Sequence, residues 1–147
     1  MYRRILVATD GSTLSKKAVR SGIELAAATG AELVALHVVP RYPMSYIEGV
    51  LTIEGDEIAR AEKHSHEQGQ AIVDRVQEAA SSEGVKAKSV IAHSDMIAES
   101  ILKAAKKHKC DLIVMASHGR KGIKRILLGS ETQHVLTHSD LPVLVLR

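Results

Sequence analysis

Short apolar runs alternate along this chain with segments of helical periodicity, and this alternation constrains the fold more than any other feature. Several of the runs, such as the one from Leu112 to Met115, are continuous rather than interrupted by polar residues. Continuous apolar runs are typical of parallel strands that are covered on both faces. Strands that alternate with helices are typical of α/β folds. The sequence therefore predicts an α/β fold with a doubly wound parallel sheet and helices on both faces.

The predicted elements follow from apolar spacing and from glycine and proline stops. Strands are predicted over residues 3–9, 32–39, 85–92, 111–116 and 141–146. Helices are predicted over residues 13–29, 56–82, 96–108 and 130–138, and residues 41–54 are predicted to form a loop. Gly30 and Gly84 are expected to end the first two helices. At 147 residues the chain has the length of one domain, and we expect residues 1–147 to form it.

A segment punctuated by glycines lies between the predicted fourth strand and the last helix. It contains Gly119 and Gly129, and the residues that follow, Ser130-Glu131-Thr132-Gln133, fit a capping box with Ser130 as the N-cap. Backbone N–H groups in glycine-rich turns and at helix starts point at anions. The pattern therefore predicts a loop that holds a phosphate.

The predicted topology gives this loop a position. In doubly wound sheets a ligand lies beyond the carboxyl ends of the strands, where the winding reverses. The first strand ends near Asp10 and the fourth at Ala116. If these strands are neighbours, both ends face one crevice.

Composition excludes several classes of protein. The formal charge of +3 is too small to indicate nucleic acid, and three tyrosines with no Phe or Trp leave nothing on which bases could stack. No apolar run is long enough to span a bilayer, and the first residues lack the pattern of a signal peptide. We therefore expect a cytoplasmic protein that binds neither nucleic acid nor membrane. Cys110 is the only cysteine, which excludes an intrachain disulfide.

The histidines are candidates for metal ligands, and the methionines are candidates for the core. His64 and His66 are two positions apart on a predicted helix, so their side chains point to different faces and cannot chelate a metal together. His134 and His138 have workable spacing, but no third ligand is apparent in the sequence. We expect no structural metal site, and we expect Met96 and Met115 to be ordinary core residues.

Taken together, these segments resemble the universal stress protein family, in its single-domain, ATP-binding type. The family pattern is a glycine, two residues, a second glycine, nine residues and then Gly-Ser or Gly-Thr. Gly119, Gly129 and Ser130 match it, and Ala116 stands at the first glycine. The resemblance also covers residues 5–12, 37–39, 111–115 and 142–145.

The resemblance implies a five-stranded parallel sheet in a Rossmann-like order, 3-2-1-4-5. It places adenine near the ends of the first two strands, with Val38 as its backbone contact, and the triphosphate on the loop, held by Gly119, Gly129 and Ser130. Asp10 would meet the ribose or Mg²⁺. The full set of candidate nucleotide-binding residues is Thr9, Asp10, Val38, Ala116, His118, Gly119, Arg120, Gly129, Ser130, Glu131 and Thr132.

Ala116 is the departure from the pattern. A methyl group is tolerated where φ is negative and strained where φ is positive, and it takes room where a ligand passes close. Simpler roles also exist for the other candidates. Asp10 could form an Asx turn, the glycines could only allow turns, and His118 could be an ordinary loop residue.

The last strand, from Leu141 to Leu146, would form an exposed apolar edge that another surface should cover. Universal stress proteins commonly dimerise through such final strands, so a homodimer is expected. Three functions remain open at this point. The chain could be an ATP-binding stress-response protein, a nucleotide-free dimerisation or adaptor module, or a slow ATP hydrolase or phosphotransferase.

Overall fold

The computed structural model describes residues 1–41, 55–119 and 128–147. The strands are β1 (Arg4–Ala8), β2 (Glu32–Val39), β3 (Ala87–His93), β4 (Leu112–Ala116) and β5 (Val143–Leu146). The helices in these ranges are α1 (Thr13–Thr29), α2 (Gly55–Ser82), α3 (Ile97–Lys107) and α4 (Ser130–His138). The five strands form one parallel sheet in the order β3-β2-β1-β4-β5. The predicted fold class and strand order are confirmed.

Apolar clusters cover both faces of the sheet, which explains the continuous apolar runs. On one face Ile5 and Val7 of β1 pack with residues of α1 and α2, among them Ile23 and Val73. On the other face Leu6 packs with residues of α3 and α4. Because consecutive strand residues point to opposite faces, each central strand needs an apolar residue at every position.

Glycines end the first two helices, as predicted. Gly30 and Gly84 have φ values of 72° and 73°, the left-handed conformation that side chains disfavour. After α2 the Val85 N–H donates to the carbonyl of Ala80, so Val85 still belongs to the helix end. For this reason β3 begins at Ala87, two residues later than predicted. The last strand likewise begins at Val143, after Leu141 has donated its N–H to the Ser139 hydroxyl.

The structure also bears on the methionines, the cysteine, the membrane and the predicted loop. Met115 is buried, but Met96 is 56% exposed, so its assignment to the core was wrong. Cys110 is buried, and burial raises the pKa of its thiol to about 11. Across the described ranges, no helix has the length and apolar character that crossing a membrane requires. The predicted loop over residues 41–54 falls outside the described residues from position 42 onward.

Candidate functional site

A cavity of about 140 Å³ opens at the carboxyl ends of the central strands. It lies between β1 and β4, which are hydrogen-bonded neighbours, so the predicted crevice at the winding reversal is confirmed. Its walls come from β1, β2, β4 and the residues after them, and from α1, α3 and α4. The lining residues are Ala8, Thr9, Asp10, Ser15, Leu36, His37, Val38, Ile97, Ile101, Met115, Ala116, His118, Gly119 and Glu131.

The cavity has an apolar part and a polar part. Leu36, Val38, Ile101 and Met115 belong to the apolar cluster on the α3 side of the sheet. Asp10, His118, Gly119 and Glu131 supply the polar groups. A mostly apolar concavity with a few convergent polar groups is the usual form of a small-molecule site.

Asp10 is held by a turn between β1 and α1. The Ser12 N–H donates to Asp10 Oδ1 at 2.9 Å, and Ser12 in turn caps α1 by accepting from the Ser15 N–H. Gly11, between them, has a φ of 77°, which favours glycine. A methyl group on Gly119 would lie 3.1 Å from Asp10 Oδ2, so the carboxylate faces the loop after β4 across the crevice. Asp10 therefore forms the Asx turn and lines the cavity as well.

The backbone of Val38 points into the space beyond the end of β1. The Leu36 carbonyl accepts from the Thr9 N–H on the β1 side, whereas the Val39 carbonyl accepts from the Ser94 N–H on the β3 side. Because backbone groups of alternate strand residues point to the same side, the N–H and C=O of Val38 point toward β1. The described strand β1 ends at Ala8, which pairs with Leu36. Val38 thus presents a donor and an acceptor to the crevice.

Two side chains around Thr9 fix this end of β1. The buried Thr9 hydroxyl lies 3.0 Å from the Ser15 hydroxyl and accepts from the Gly11 N–H. The His37 ring donates its Nδ1–H to the Thr9 carbonyl at 2.8 Å. The side chain of Thr9 is therefore engaged in holding the turn, and its backbone is part of the cavity wall.

Ala116 is an unstrained strand residue. Lys109 is the one residue other than glycine with positive φ in the described part of the chain, so Ala116 has negative φ. It is buried and packs with the apolar cluster on the α1 face. The methyl group therefore imposes no backbone strain, and the glycine of the family pattern is not required here for conformational reasons.

The start of α4 differs from the prediction. Gly129, in extended conformation, is the N-cap, and Ser130 is the first helical residue. The predicted capping box with Ser130 as N-cap was therefore wrong. The reason is a close backbone approach, because the Gly129 N–H donates to the Ser117 carbonyl at 2.8 Å. A methyl group at position 129 would lie 3.1 Å from that same oxygen, so the contact favours glycine.

Thr132 and Glu131 join α4 to its neighbours. The buried Thr132 hydroxyl donates to the carbonyls of Ala116 and Ser117 at 3.0 and 3.2 Å. Glu131 Oε2 accepts from the Ala98 N–H at 2.9 Å, at the N-terminus of α3, where a carboxylate is favourable. Met96, the N-cap of α3, makes no side-chain capping bond. Glu131 thus caps a helix from 33 residues away and lines the cavity.

Thr132→Val should destabilise the protein by about 1–3 kcal/mol, because it removes a buried donor from two carbonyls at the end of β4. Thr137→Val is the matched control, since the exposed Thr137 hydroxyl donates to the Gln133 carbonyl of its own helix. It should change stability by less than about 0.5 kcal/mol. Urea unfolding of both variants measures the difference. Equal losses of stability in the two variants would mean that the Thr132 hydroxyl does not hold the end of β4.

Seven of the eleven candidate residues line the cavity: Thr9, Asp10, Val38, Ala116, His118, Gly119 and Glu131. Gly129, Ser130 and Thr132 lie beside it at the start of α4. Arg120 lies outside the described residues. Sequence reasoning missed the α3 wall, Ile97 and Ile101. Their spacing of four was a signal of a helix face, but nothing in it indicated which ligand or element that face meets.

The model of one protein family matches this chain over residues 1–147, and its description is the universal stress protein family. The chain belongs to the universal stress protein family. Universal stress protein MJ0531 of Methanocaldococcus jannaschii is 35% identical over 151 residues, with 100% of this chain and 83% of the relative covered. Universal stress protein YxiE of Bacillus subtilis is 34% identical over 149 residues, with 100% of both covered. These matches confirm the predicted resemblance.

Solved structures of universal stress proteins share the fold. That of MJ0577 has a TM-score of 0.83 and 28% identity, with 99% of this chain and 96% of that chain covered. A universal stress protein in complex with cAMP has a TM-score of 0.69 at 23% identity, covering 98% and 95%. One from Archaeoglobus fulgidus in complex with dAMP has a TM-score of 0.65 at 18% identity, covering 99% and 98%.

Proposed function

We propose that this universal stress protein binds an adenine nucleotide, ATP, in the cavity between β1 and β4. The observation that carries the proposal is the combination of an apolar cleft with the backbone N–H and C=O of Val38 and the carboxylate of Asp10 around its rim. An adenine base needs the apolar surface and the backbone donor and acceptor, and the hydroxyls of a ribose can donate to the carboxylate. The proposed role is that of a cytoplasmic binding and regulatory protein in a stress response.

The apolar part of the cavity fits the base. Leu36, Val38, Ile101 and Met115 offer flat apolar contacts on the α3 side. Adenine carries a ring nitrogen acceptor beside its exocyclic amine donor, and the N–H and C=O of Val38 are the complementary pair. A volume of about 140 Å³ is below the roughly 300–1,000 Å³ of pockets that enclose a whole ligand. In this proposal the base fills the cavity, and the rest of the nucleotide lies along the rim.

The polar rim fits the ribose and the phosphates. Asp10 can accept hydrogen bonds from ribose hydroxyls, as acidic residues do in dinucleotide-binding sheets. Gly119 leaves the main chain accessible, and Gly129 as N-cap has no side chain over the first N–H groups of α4, which include that of Ser130. Helix N-termini favour phosphate by hydrogen bonding and by their dipole. His118 lines the same rim, and Arg120 belongs to the same proposal although it lies outside the described residues.

Mg²⁺ would accompany the triphosphate. Among residues 1–41, 55–119 and 128–147, no three His, Cys, Asp or Glu side chains converge as a metal site. Mg²⁺ bound to nucleotides keeps several waters and uses one or two carboxylates with phosphate oxygens. The Asp10 carboxylate on the rim fits that limited requirement.

Two proteins of the same fold support the ligand class, since one was solved with cAMP and the other with dAMP, both adenine nucleotides. A first experiment denatures the purified protein and identifies released nucleotide by chromatography and mass spectrometry. We expect an adenine nucleotide, released as ATP. Guanine or pyrimidine nucleotides in its place would contradict the assignment of the base to Val38. Protein that yields none and also fails to take up added ATP would favour the adaptor function.

We also propose a homodimer formed through β5, from the exposed edge of the sheet. In the described sheet β5 pairs with β4 alone, and Leu144 on β5 and Leu136 on α4 are 39% and 41% exposed. An apolar edge strand with open backbone groups is a template for pairing with a second chain.

Light scattering at micromolar concentration should give twice the 15.9 kDa of one chain. Leu144→Lys should shift the mass toward the monomer, because a charged side chain on an edge strand opposes pairing. Met96→Lys is the control, since Met96 is exposed at the start of α3 rather than on β5, and this change should leave the dimer intact. A monomeric wild type would contradict this proposal and would leave the nucleotide proposal unaffected.

A further inference from the structure

Two histidines from different elements meet at the edge of the sheet that lies away from β5. His66 of α2 and His93, the last residue of β3, place Nδ1 and Nε2 at 3.0 Å. The two rings are inclined by only 10°, and their centroids are 5.1 Å apart. At that separation nearly parallel rings do not stack face to face but meet edge to edge, with one nitrogen of each directed at the other.

The backbone holds His66 in this position. One turn after His66, the buried Gly69 lies so close to β2 that a methyl group on it would be 2.7 Å from the His37 ring and 3.1 Å from Val39. This close approach brings α2 down onto the end of β2. In the sheet Val39 is the register partner of His93, so the same approach brings His66 to His93. The pair is therefore a consequence of how α2 packs on the sheet.

The two nitrogens form a hydrogen bond, and their spacing is also that of two ligands on one metal ion, which a small rotation of the exposed rings would turn toward a common point. Metal–imidazole bonds of about 2.0–2.1 Å place neighbouring ligand nitrogens roughly 2.9–3.4 Å apart. A separation of 3.0 Å also requires that at least one of the facing nitrogens carries no proton, since two N–H groups cannot point at each other. Both side chains are exposed, so an ion and its waters can reach them.

From this geometry we infer that His66 and His93 form a binding site for a divalent transition-metal ion, separate from the nucleotide cavity. Imidazole nitrogen suits Zn²⁺, Ni²⁺ and Cu²⁺, and a site of this kind binds Cu²⁺ most tightly. No third His, Cys, Asp or Glu joins the pair within the described residues. Water completes the coordination. The bound ion would tie the end of β3 to α2.

The other histidine pair in the described ranges has a different geometry. His134 and His138 lie on α4 with ring centroids 4.3 Å apart, and the His138 Nδ1–H donates to the His134 carbonyl at 3.0 Å. These rings overlap rather than point their nitrogens at each other. In the experiment below both of these histidines are replaced by glutamine, so that Cu²⁺ bound to them does not contribute to the measured affinity.

The test uses tag-free protein carrying His134→Gln and His138→Gln, without nucleotide, because phosphates chelate metals. Cu²⁺ is titrated by calorimetry, and the bound ion is examined by electron paramagnetic resonance. We expect one Cu²⁺ per chain with two coordinated imidazole nitrogens. Outer-shell partners alone change metal affinity about 10–100-fold, so loss of a direct ligand through His66→Gln or His93→Gln should weaken binding by at least about tenfold.

His64→Gln is the matched control. His64 lies on the same helix two positions before His66, where helical geometry directs it to a different face, so its replacement should leave the affinity unchanged. Cu²⁺ should also raise the melting temperature of the protein that retains His66 and His93, and not that of His66→Gln, because the ion binds the folded pair. Equal affinity in the presence and absence of His66, an equal loss with His64→Gln, or no Cu²⁺ binding at all would overturn the inference.

Discussion

Replacing Ala8 with leucine is expected to weaken ATP binding strongly and to leave the fold intact. Ala8 ends β1, is partly buried, and packs with the apolar cluster on the α3 side, where it lines the cavity. Three additional carbons there would occupy the space proposed for the base. We expect affinity for ATP to fall by about 100-fold or more, which corresponds to roughly 2.7 kcal/mol.

The fold should tolerate this change because the added atoms enter an existing cavity rather than a filled core. We expect the stability to remain within about 1.5 kcal/mol of the wild type. The control is Ala27→Leu, which adds the same atoms on the exposed face of α1. Calorimetry with ATP and thermal unfolding measure the two effects. Undiminished ATP affinity in a folded Ala8→Leu protein would place the nucleotide elsewhere.

Gly22→Leu is expected to destabilise the protein by about 2–3 kcal/mol or more, through overpacking. Gly22 lies in the middle of α1, where an alanine would form a better helix, so its presence has a packing reason. A methyl group there would collide with Cγ2 of Val7, a fully buried residue of β1. The helix can thus approach the sheet closely only because position 22 has no side chain.

Gly22→Ala should show part of the same loss, since even one methyl group meets Val7. Ala27→Leu again serves as the control, five positions along the same helix, and should change stability by less than about 0.5 kcal/mol. Urea unfolding gives the three values. If Gly22→Leu unfolds at the same urea concentration as Ala27→Leu, α1 is not held against β1 in the way described.

The fold could be predicted because its signals are local. The run from Leu112 to Met115 is apolar at every position since both faces of β4 are covered. Gly30 marks the end of α1 through its own backbone conformation. The position of the crevice then followed from the reversal of strand order between β1 and β4, which is a rule of topology rather than of any one residue.

The details of the site could not be predicted, because they depend on contacts between distant segments. Ser130 was in the right context for an N-cap, but the approach of Gly129 to the Ser117 carbonyl moved the helix start by one residue. Glu131 caps α3 across 33 residues of sequence. His66 and His93 are 27 residues apart, and no periodicity relates them.

The measurement that tests the account most directly is a calorimetric titration of the nucleotide-free wild-type protein with ATP and with GTP. The site geometry predicts saturable binding of one ATP per chain and much weaker binding of GTP, because guanine presents a different donor and acceptor pattern to the backbone of Val38. Absence of saturable ATP binding, or equal affinity for the two nucleotides, would contradict the assignment of this cavity to adenine.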